Sequence, residues 1–491
     1  MQKTKHITRI KNYILIFSVN AIGMIIELVA SRLLSPYFGV TQDVWTVVIG
    51  IILLSGSIGN ILGGKLTELK KQDILIALAG TVFLIPYLSD FVLILMKSAT
   101  QSLRIGAFVS AALLFFIPSA LSGMLTPKLL SENTNTLDQI GETSGIYYAV
   151  MTLGGLFGTF AGGFLFIPVM GSVNILKVMG AICVILAFFC AEDQKELFKA
   201  TAVGVLIAVF CFVMGKGGVH KPNMIYETDS EYAHIVVWES PDQENETIRF
   251  LQTGEQNAYM SATYTAENKR NKLHTEYIKT ITEALPASPT LNILMCGGGG
   301  YSFPKWFLAN EEMEDCSLDV VELDEKIYDA ASTYFFLEEA VQQYDPEHKR
   351  FHNYINDGRI FIEGKDNTYD VIINDAFAGG GVPARTLTTK EFCEEVYDAL
   401  TDDGYYIVNV IGALEGRHSM FLQAEYKTLK AVFGNAAILK VQDVPASQTA
   451  NYIVVATKKP HTITEAVDFM PTENTVLLTD DYCPVDTLFV P

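Results

Sequence analysis

Residues suited to holding a nucleoside and moving a proton occur in series in the second half of the chain. Four glycines, Gly297 to Gly300, directly follow the apolar segment Leu291 to Cys296. Glu322 and Asp324 end the next apolar segment, after a stretch that carries Trp306 and Phe307. Glycines let backbone approach a ligand closely, and an acid at the tip of the following strand can accept both hydroxyls of a ribose. Asp357-Gly358 falls where a third strand should end, placed for a carboxylate and backbone amides to meet an adenine edge. Asp375 ends the apolar run YDVIIN, where a catalytic base would sit beside the crevice. The structural alternative is an Asp that hydrogen-bonds its own glycine-rich loop. Gly297, Gly299, Glu322, Asp357 and Gly358 are therefore the candidate nucleoside-binding positions, and Asp375 is the candidate base. The glycine run is contiguous and residue 302 is serine, so the Gly-x-Gly-x-x-Gly pattern of a dinucleotide site is not met.

Positioning these residues takes a β-α-β unit from Leu291 to Asp324, extended by strands at 369–374, 405–410, 436–441 and 452–457 and helices at 274–285, 325–336, 389–400 and 418–432. That pattern predicts a doubly wound, Rossmann-like α/β sheet of the class I methyltransferase type, over residues 266–491. Short alternating segments at 232–239, 247–252 and 257–261 predict a small β-hairpin module over 224–265, and 216–223 reads as a linker. The tail LLTDDYCPVDTL is expected to fold back over the site.

The first 215 residues have a different character. The chain of 491 residues is 49% hydrophobic and only 18% charged, and the apolar runs concentrate before Gly215. Seven segments, 12–34, 44–64, 74–96, 104–128, 144–170, 173–190 and 198–215, are long enough to cross a bilayer, which predicts an α-helical multi-span membrane domain. Small residues recur every fourth position at Ser55, Gly59 and Gly63 and at Gly154, Gly158 and Gly162, the pattern of close helix seams. Glu27, Arg32 and Asp90 lie inside spans and need partners, more readily a structural ion pair than a substrate path. Lys3, Lys5, Arg9 and Lys11, with Lys65, Lys70 and Lys71, favour a cytoplasmic N-terminus. Seven spans would then put the soluble half outside, whereas adenosyl compounds are made in the cytosol; the cofactor argument is given precedence, with the soluble half cytoplasmic.

A net charge of −20 disfavours nucleic acid and anionic lipid surfaces and tolerates a cationic substrate. The seven cysteines contain no close-spaced pair, so neither a metal site nor a disulfide framework is predicted.

The segments CGGGG, VVELDEKIYDAA, INDGRIFI, YDVIINDAFAGGGVPARTLTTKEF, VNVIGALEG and LTDDYCPVDTL together resemble spermidine synthases, and more closely the membrane-fused spermidine synthase-like proteins of bacteria. The resemblance implies transfer of an aminopropyl group from decarboxylated S-adenosylmethionine to an amine. Gly297 and Gly299 would line the donor, Glu322 hold its ribose, Asp357 meet the adenine, and Asp375 deprotonate the attacking amine. Two acids that hold amines in the soluble enzymes are replaced by Gly300 and Ala378, and a glutamine of the first hairpin by Ala233. Each lost acid removes a charge-assisted hydrogen bond of roughly 1.5–3 kcal/mol. Three readings follow: an aminopropyltransferase of altered amine specificity, a methyltransferase using intact S-adenosylmethionine, and a non-catalytic polyamine or nucleoside sensor or transporter. The expected partners are a small cationic amine, the lipid bilayer and a second copy of the soluble domain.

Overall fold

The computed structural model describes residues 2–38, 42–66, 68–100, 102–133, 140–214, 223–242, 244–253, 259–378, 382–461 and 463–489. It divides into a helical unit, Met1–His220 with Asp229–Ala233, and an α/β unit, Lys221–Thr228 with His234–Pro491. The expected linker, 216–223, falls almost wholly outside the described residues.

The helical unit contains α1 (Gln2–Phe38), α2 (Gln42–Lys65), α3 (Lys71–Ala99), α4 (Leu103–Asn133) and α5 (Ile140–Phe160), with a π-helical turn (Ala161–Phe166) leading into the short α6 (Ile167–Val169). α7 (Ser172–Cys190) and α8 (Gln194–Met214) complete it. Six described helices are long and apolar enough to cross a membrane: α1 to α4, α5 with its π extension, and α7. The seventh expected span coincides with α8, which opens on Lys195, Glu196 and Lys199 and over its full length is as apolar as α2 and α3. α8 nevertheless runs along the bundle: Gln72 Nε2 donates to the Glu196 carbonyl at 2.7 Å, and Phe210 packs edge-on against Tyr87 with centroids 4.9 Å apart.

Both small-residue seams bring backbones into contact. A Cβ on Gly59 would lie 2.0 Å from the Ala120 carbonyl oxygen, one on Gly63 2.2 Å from that of Met124, and ones on Gly154 and Gly158 2.3 Å from those of Phe17 and Ala21. Of the ionisable residues inside spans, Asp90 accepts from the Tyr37 hydroxyl at 3.1 Å. Arg32 donates to the carbonyls of Ser230 and Glu231, within the short segment that clusters with the helical unit.

In the α/β unit, β1 (Met224–Asp229), β2 (His234–Pro241), β3 (Thr247–Thr253) and β4 (Ser261–Tyr264) form one four-stranded sheet in that order. This is larger than the expected hairpin module, because MIYETD adds a strand and the third expected segment begins later, at Ser261. The central sheet contains β5 (Asn292–Cys296), β6 (Ser317–Glu322), β7 (Phe351–Ile355), β8 (Tyr369–Asn374), β11 (Leu400–Gly412), β12 (Asn435–Lys440), β13 (Ala450–Thr457) and β14 (Ala466–Val467). β9 (Phe377–Ala378) and β10 (Val382–Pro383) make a separate two-stranded ladder. Across the sheet the order is β14-β12-β13-β11-β8-β5-β6-β7. Strands β5, β6, β7, β8 and β11 are parallel, while β13 is antiparallel to β11.

Four of the five β5 side chains are fully buried, as a parallel strand covered on both faces requires. Ile293 and Met295 pack with α9 (Glu276–Glu283), α10 (Ser302–Ala309), α11 (Glu325–Tyr334) and α12 (Leu337–Tyr344) on one side. Leu294 and Cys296 pack with α13 (Gly358–Ile362), α14 (Lys390–Ala399), α15 (Met420–Phe433) and α16 (Val485–Leu488) on the other. β6 and β8 leave β5 in opposite directions, so a crevice opens at the carboxyl ends of these strands.

The seam geometry predicts a sharp asymmetry between glycines. Gly59→Leu, forced against the Ala120 carbonyl, should abolish a thermal transition of the helical unit in detergent, while Gly50→Leu, with nothing within 4 Å of its Cβ, should leave it nearly unchanged. Equal effects of the two would refute the seam.

Candidate active site

The crevice holds a cavity of about 350 Å³, within the range of small-ligand sites. Gly297, Gly299, Glu322, Asp357, Gly358 and Asp375 all line it, so the six positions singled out in the sequence come together. They reach it from four neighbouring strand ends: Asp357 and Gly358 beyond β7, Glu322 on β6, the glycines after β5, and Asp375 after β8. Gly300 does not line it; it is buried behind the turn.

Glycine is required in this turn. Gly297 and Gly299 have φ of +90° and +53°, and a Cβ on Gly297 would lie 2.7 Å from the Asp375 carbonyl oxygen. Glu322 fixes the turn from behind: its Oε2 accepts from the Gly298 and Gly299 amides at 2.9 and 3.3 Å, and its Oε1 from the Asp324 amide at 3.0 Å. An ionised carboxylate offers about four lone-pair sites, so capacity remains for ribose hydroxyls. Burial pushes the Glu322 carboxyl upward while the three amides pull it back. Asp357 is the N-cap of α13, its Oδ1 accepting from the Arg359 and Ile360 amides at 2.8 and 3.2 Å.

Asp375 does not cap its own loop among the described residues. Its Oδ2 accepts from the Tyr277 hydroxyl at 3.1 Å and its Oδ1 from Asn409 Nδ2 at 2.7 Å. The carboxyl keeps accessible surface where it lines the cavity, yet the protein around it strips bulk water away. That desolvation, only partly offset by Asn409 and Tyr277, pushes its pKa up to about 7. A carboxyl poised there accepts a proton at neutral pH far more effectively than an ordinary Asp.

Three residues of the wall were not anticipated. Tyr277 comes from α9, Asn409 from the carboxyl-terminal half of β11, and Asn451 from the start of β13, where its Nδ2 donates to Asn409 Oδ1 at 2.9 Å. An asparagine inside the apolar run YYIVNV was the signal available for Asn409. The tail expected to cover the site does not line the cavity. It braces the wall from outside instead: Asp480 makes a two-pronged pair with Arg359 of α13 at 2.7 and 2.8 Å.

A position that the resemblance marked as altered also has a steric explanation. A Cβ on Gly300 would lie 2.7 Å from Ser261 Cβ and 2.9 Å from the Phe335 ring, and the Gly300 amide donates to Ser261 Oγ at 2.9 Å. Ala378, the other, pairs with Val382 in the β9–β10 ladder.

The parallel sheet, the glycine turn and a carboxyl poised as a base define a Rossmann-type transferase domain. Residues 288–466 match the spermine/spermidine synthase domain. A polyamine aminopropyltransferase of Vibrio vulnificus is 26% identical over 243 residues, covering 48% of this chain and 74% of that protein. Another, from Lachnospira eligens, is 34% identical over 116 residues, or 24% of this chain and 38% of that protein. The crystal structure of a probable spermidine synthase from Corynebacterium glutamicum aligns with a TM-score of 0.40 at 19% identity, over 50% of this chain and 85% of that one. Residues 288–466 therefore resemble the spermine/spermidine synthase domain.

The raised Asp375 pKa carries a stability consequence. From the unfolded value near 4 up to about 7 the folded state binds the extra proton, so wild-type stability falls as pH rises through this window. Asp375→Asn lacks that group, so its melting temperature relative to wild type should climb between pH 4 and 7 and then level off. Cavity water screens part of the effect, leaving roughly 2–3 kcal/mol. A difference in melting temperature that does not change with pH would contradict the assignment.

Proposed function

We propose that the chain is a membrane-anchored aminopropyltransferase that moves an aminopropyl group from decarboxylated S-adenosylmethionine to a polyamine or related amine. The observation that carries this reading is Asp375, held at the wall of the cavity between Tyr277 and Asn409 and titrating near neutrality. Glu322 would hold the ribose hydroxyls, Asp357 and Gly358 the adenine edge, and Gly297 and Gly299 the adenosyl face. The amine nitrogen attacks the aminopropyl carbon bonded to the sulfonium. As the new C–N bond forms, the C–S bond breaks, its electron pair returns to sulfur, and neutral methylthioadenosine leaves. The proton lost by the amine goes to Asp375. Sulfonium is already a good leaving group, so orientation, a dry pocket and a base supply what the reaction needs.

The described lining supports the decarboxylated donor over the intact one. Glu322, Asp357 and Asp375 are its charged residues, and no lysine or arginine among them is available to pair with a donor carboxylate.

The test is to incubate the purified full-length protein with each donor and a panel of amines and identify products by mass. An aminopropylated amine with methylthioadenosine is expected; a methylated amine with S-adenosylhomocysteine would move the assignment to a methyltransferase. Asp375→Asn should lower turnover by roughly 10²–10⁴-fold with donor affinity nearly unchanged. Glu322→Ala should weaken donor binding by about tenfold or more. Tight donor binding without turnover on any amine would favour the sensor or transporter reading.

The anchor is the helical unit, and the donor's cytosolic origin puts the α/β unit on the cytoplasmic side. If α8 crosses as it runs along the bundle, the basic N-terminus lies opposite. Reporter fusions at the N-terminus and after residue 223 should therefore give opposite signals, with the latter cytoplasmic. A cytoplasmic signal from the N-terminus alone would overturn the orientation.

A further inference from the structure

We infer that Asn451 is a positioning residue for the transfer, setting which end of the Asn409 amide faces Asp375. This rests on the reading of Asp375 as the base. The arrangement crosses three strands. Asp375 follows Asn374, which pairs with Val408 of β11, so Asn409 is the next residue along the neighbouring strand. On the far side Ile411 pairs with Asn451 of β13, which places Asn451 diagonally from Asn409 on one face of the sheet. Asn451 Nδ2 then donates to Asn409 Oδ1 at 2.9 Å, and Asn409 Nδ2 donates to Asp375 Oδ1 at 2.7 Å. All three side chains line the cavity.

With Asn451 presenting its NH₂ group, only one orientation of the Asn409 amide satisfies both neighbours. Turned over, its carbonyl oxygen would face a carboxylate oxygen and its NH₂ group would face that of Asn451. An ionised carboxylate only accepts, so it selects the observed orientation by itself. A protonated carboxyl can also donate, and would accept the reversed amide equally well. Asn451 removes that choice by keeping the Asn409 oxygen occupied in both protonation states. The carboxylate form of Asp375 thus retains a donor that the acid form does not need, which biases the residue toward its proton-accepting state.

Other groups around Asp375 act differently. Tyr277 reaches it from α9, with a hydroxyl pushed far above its usual range by burial and by Asp375 itself. The Cys296 thiol, at the end of β5, is pushed up to about 12 by burial. Glu322 and Asp357 face the same cavity from β6 and beyond β7, on the nucleoside side. Tyr259 also lines the wall.

The test compares pH profiles of kcat/KM for the amine. Asn451→Leu should move the acidic limb upward by about 0.3 unit, because the acid form gains a second amide orientation of equal energy while the carboxylate keeps only one. Asn451→Asp should move it further, because an acceptor at 451 draws the Asn409 NH₂ away from Asp375. Donor KM should stay constant in both, and kcat should recover at high pH. A merely structural role would lower kcat equally at every pH. An acidic limb matching wild type in Asn451→Leu would overturn the inference, since the charge added by Asn451→Asp moves the limb by repulsion alone. Should the wild type turn over no amine at all, the transferase reading fails on its own. Isotope-edited infrared titration of the Asp375 carboxyl in wild type and Asn451→Ala then still decides whether Asn451 biases its protonation. It also decides the inference if Asn451→Leu does not fold.

Discussion

Three backbone N–H groups converge on one buried carboxylate, and the shape of the cavity follows from that convergence. Glu322 takes the amides of Gly298, Gly299 and Asp324, tying the turn after β5 to the end of β6. The tie holds the turn so close to β8 that no side chain fits between Gly297 and the Asp375 carbonyl. The nucleoside wall and the base are thereby locked in one relation. The two acids differ because their donors differ: Glu322 is surrounded by three backbone amides that pull it back toward the charged form, whereas Asp375 has two neutral side-chain donors and desolvation pushes it up to about 7. One cavity thus contains a carboxylate fitted for holding and another fitted for exchanging a proton.

The sheet and the six lining positions were legible because each depends on local rules. An apolar run, a glycine turn and an acid at a strand end are adjacent in sequence, and the parallel order follows from alternating strands and helices. The Tyr277, Asn409 and Asn451 partners were not legible, since each enters through a long-range pairing. Asn451 meets Asn409 only because β13 returns antiparallel in a register that sets Ile411 opposite Asn451. Asn451 itself opens an apolar strand and carries no local mark of a site. The tail failed for a related reason: its acidic and apolar residues are compatible with covering the cavity or bracing it, and the choice rests on Arg359, far away in sequence.

In the helical half the repeat of small residues was enough to locate the seams, because a Cβ-free stripe has little purpose on a helix except close approach. Counting traverses was harder. α8 is as apolar as α2 and α3 and packs along the bundle, yet Lys195, Glu196 and Lys199 cluster at its start. Charge at a helix end is compatible with an interface position.

The packing around Gly300 has a consequence for redesign. With Ser261 and the Phe335 ring against its Cα, position 300 cannot take an acidic side chain by one substitution alone. Ser261 also accepts the Gly300 amide, so making room by changing it would leave a buried N–H without its acceptor. Residues 261, 300 and 335 therefore have to be changed together, and the cavity is reshaped more readily at its outer wall than at position 300.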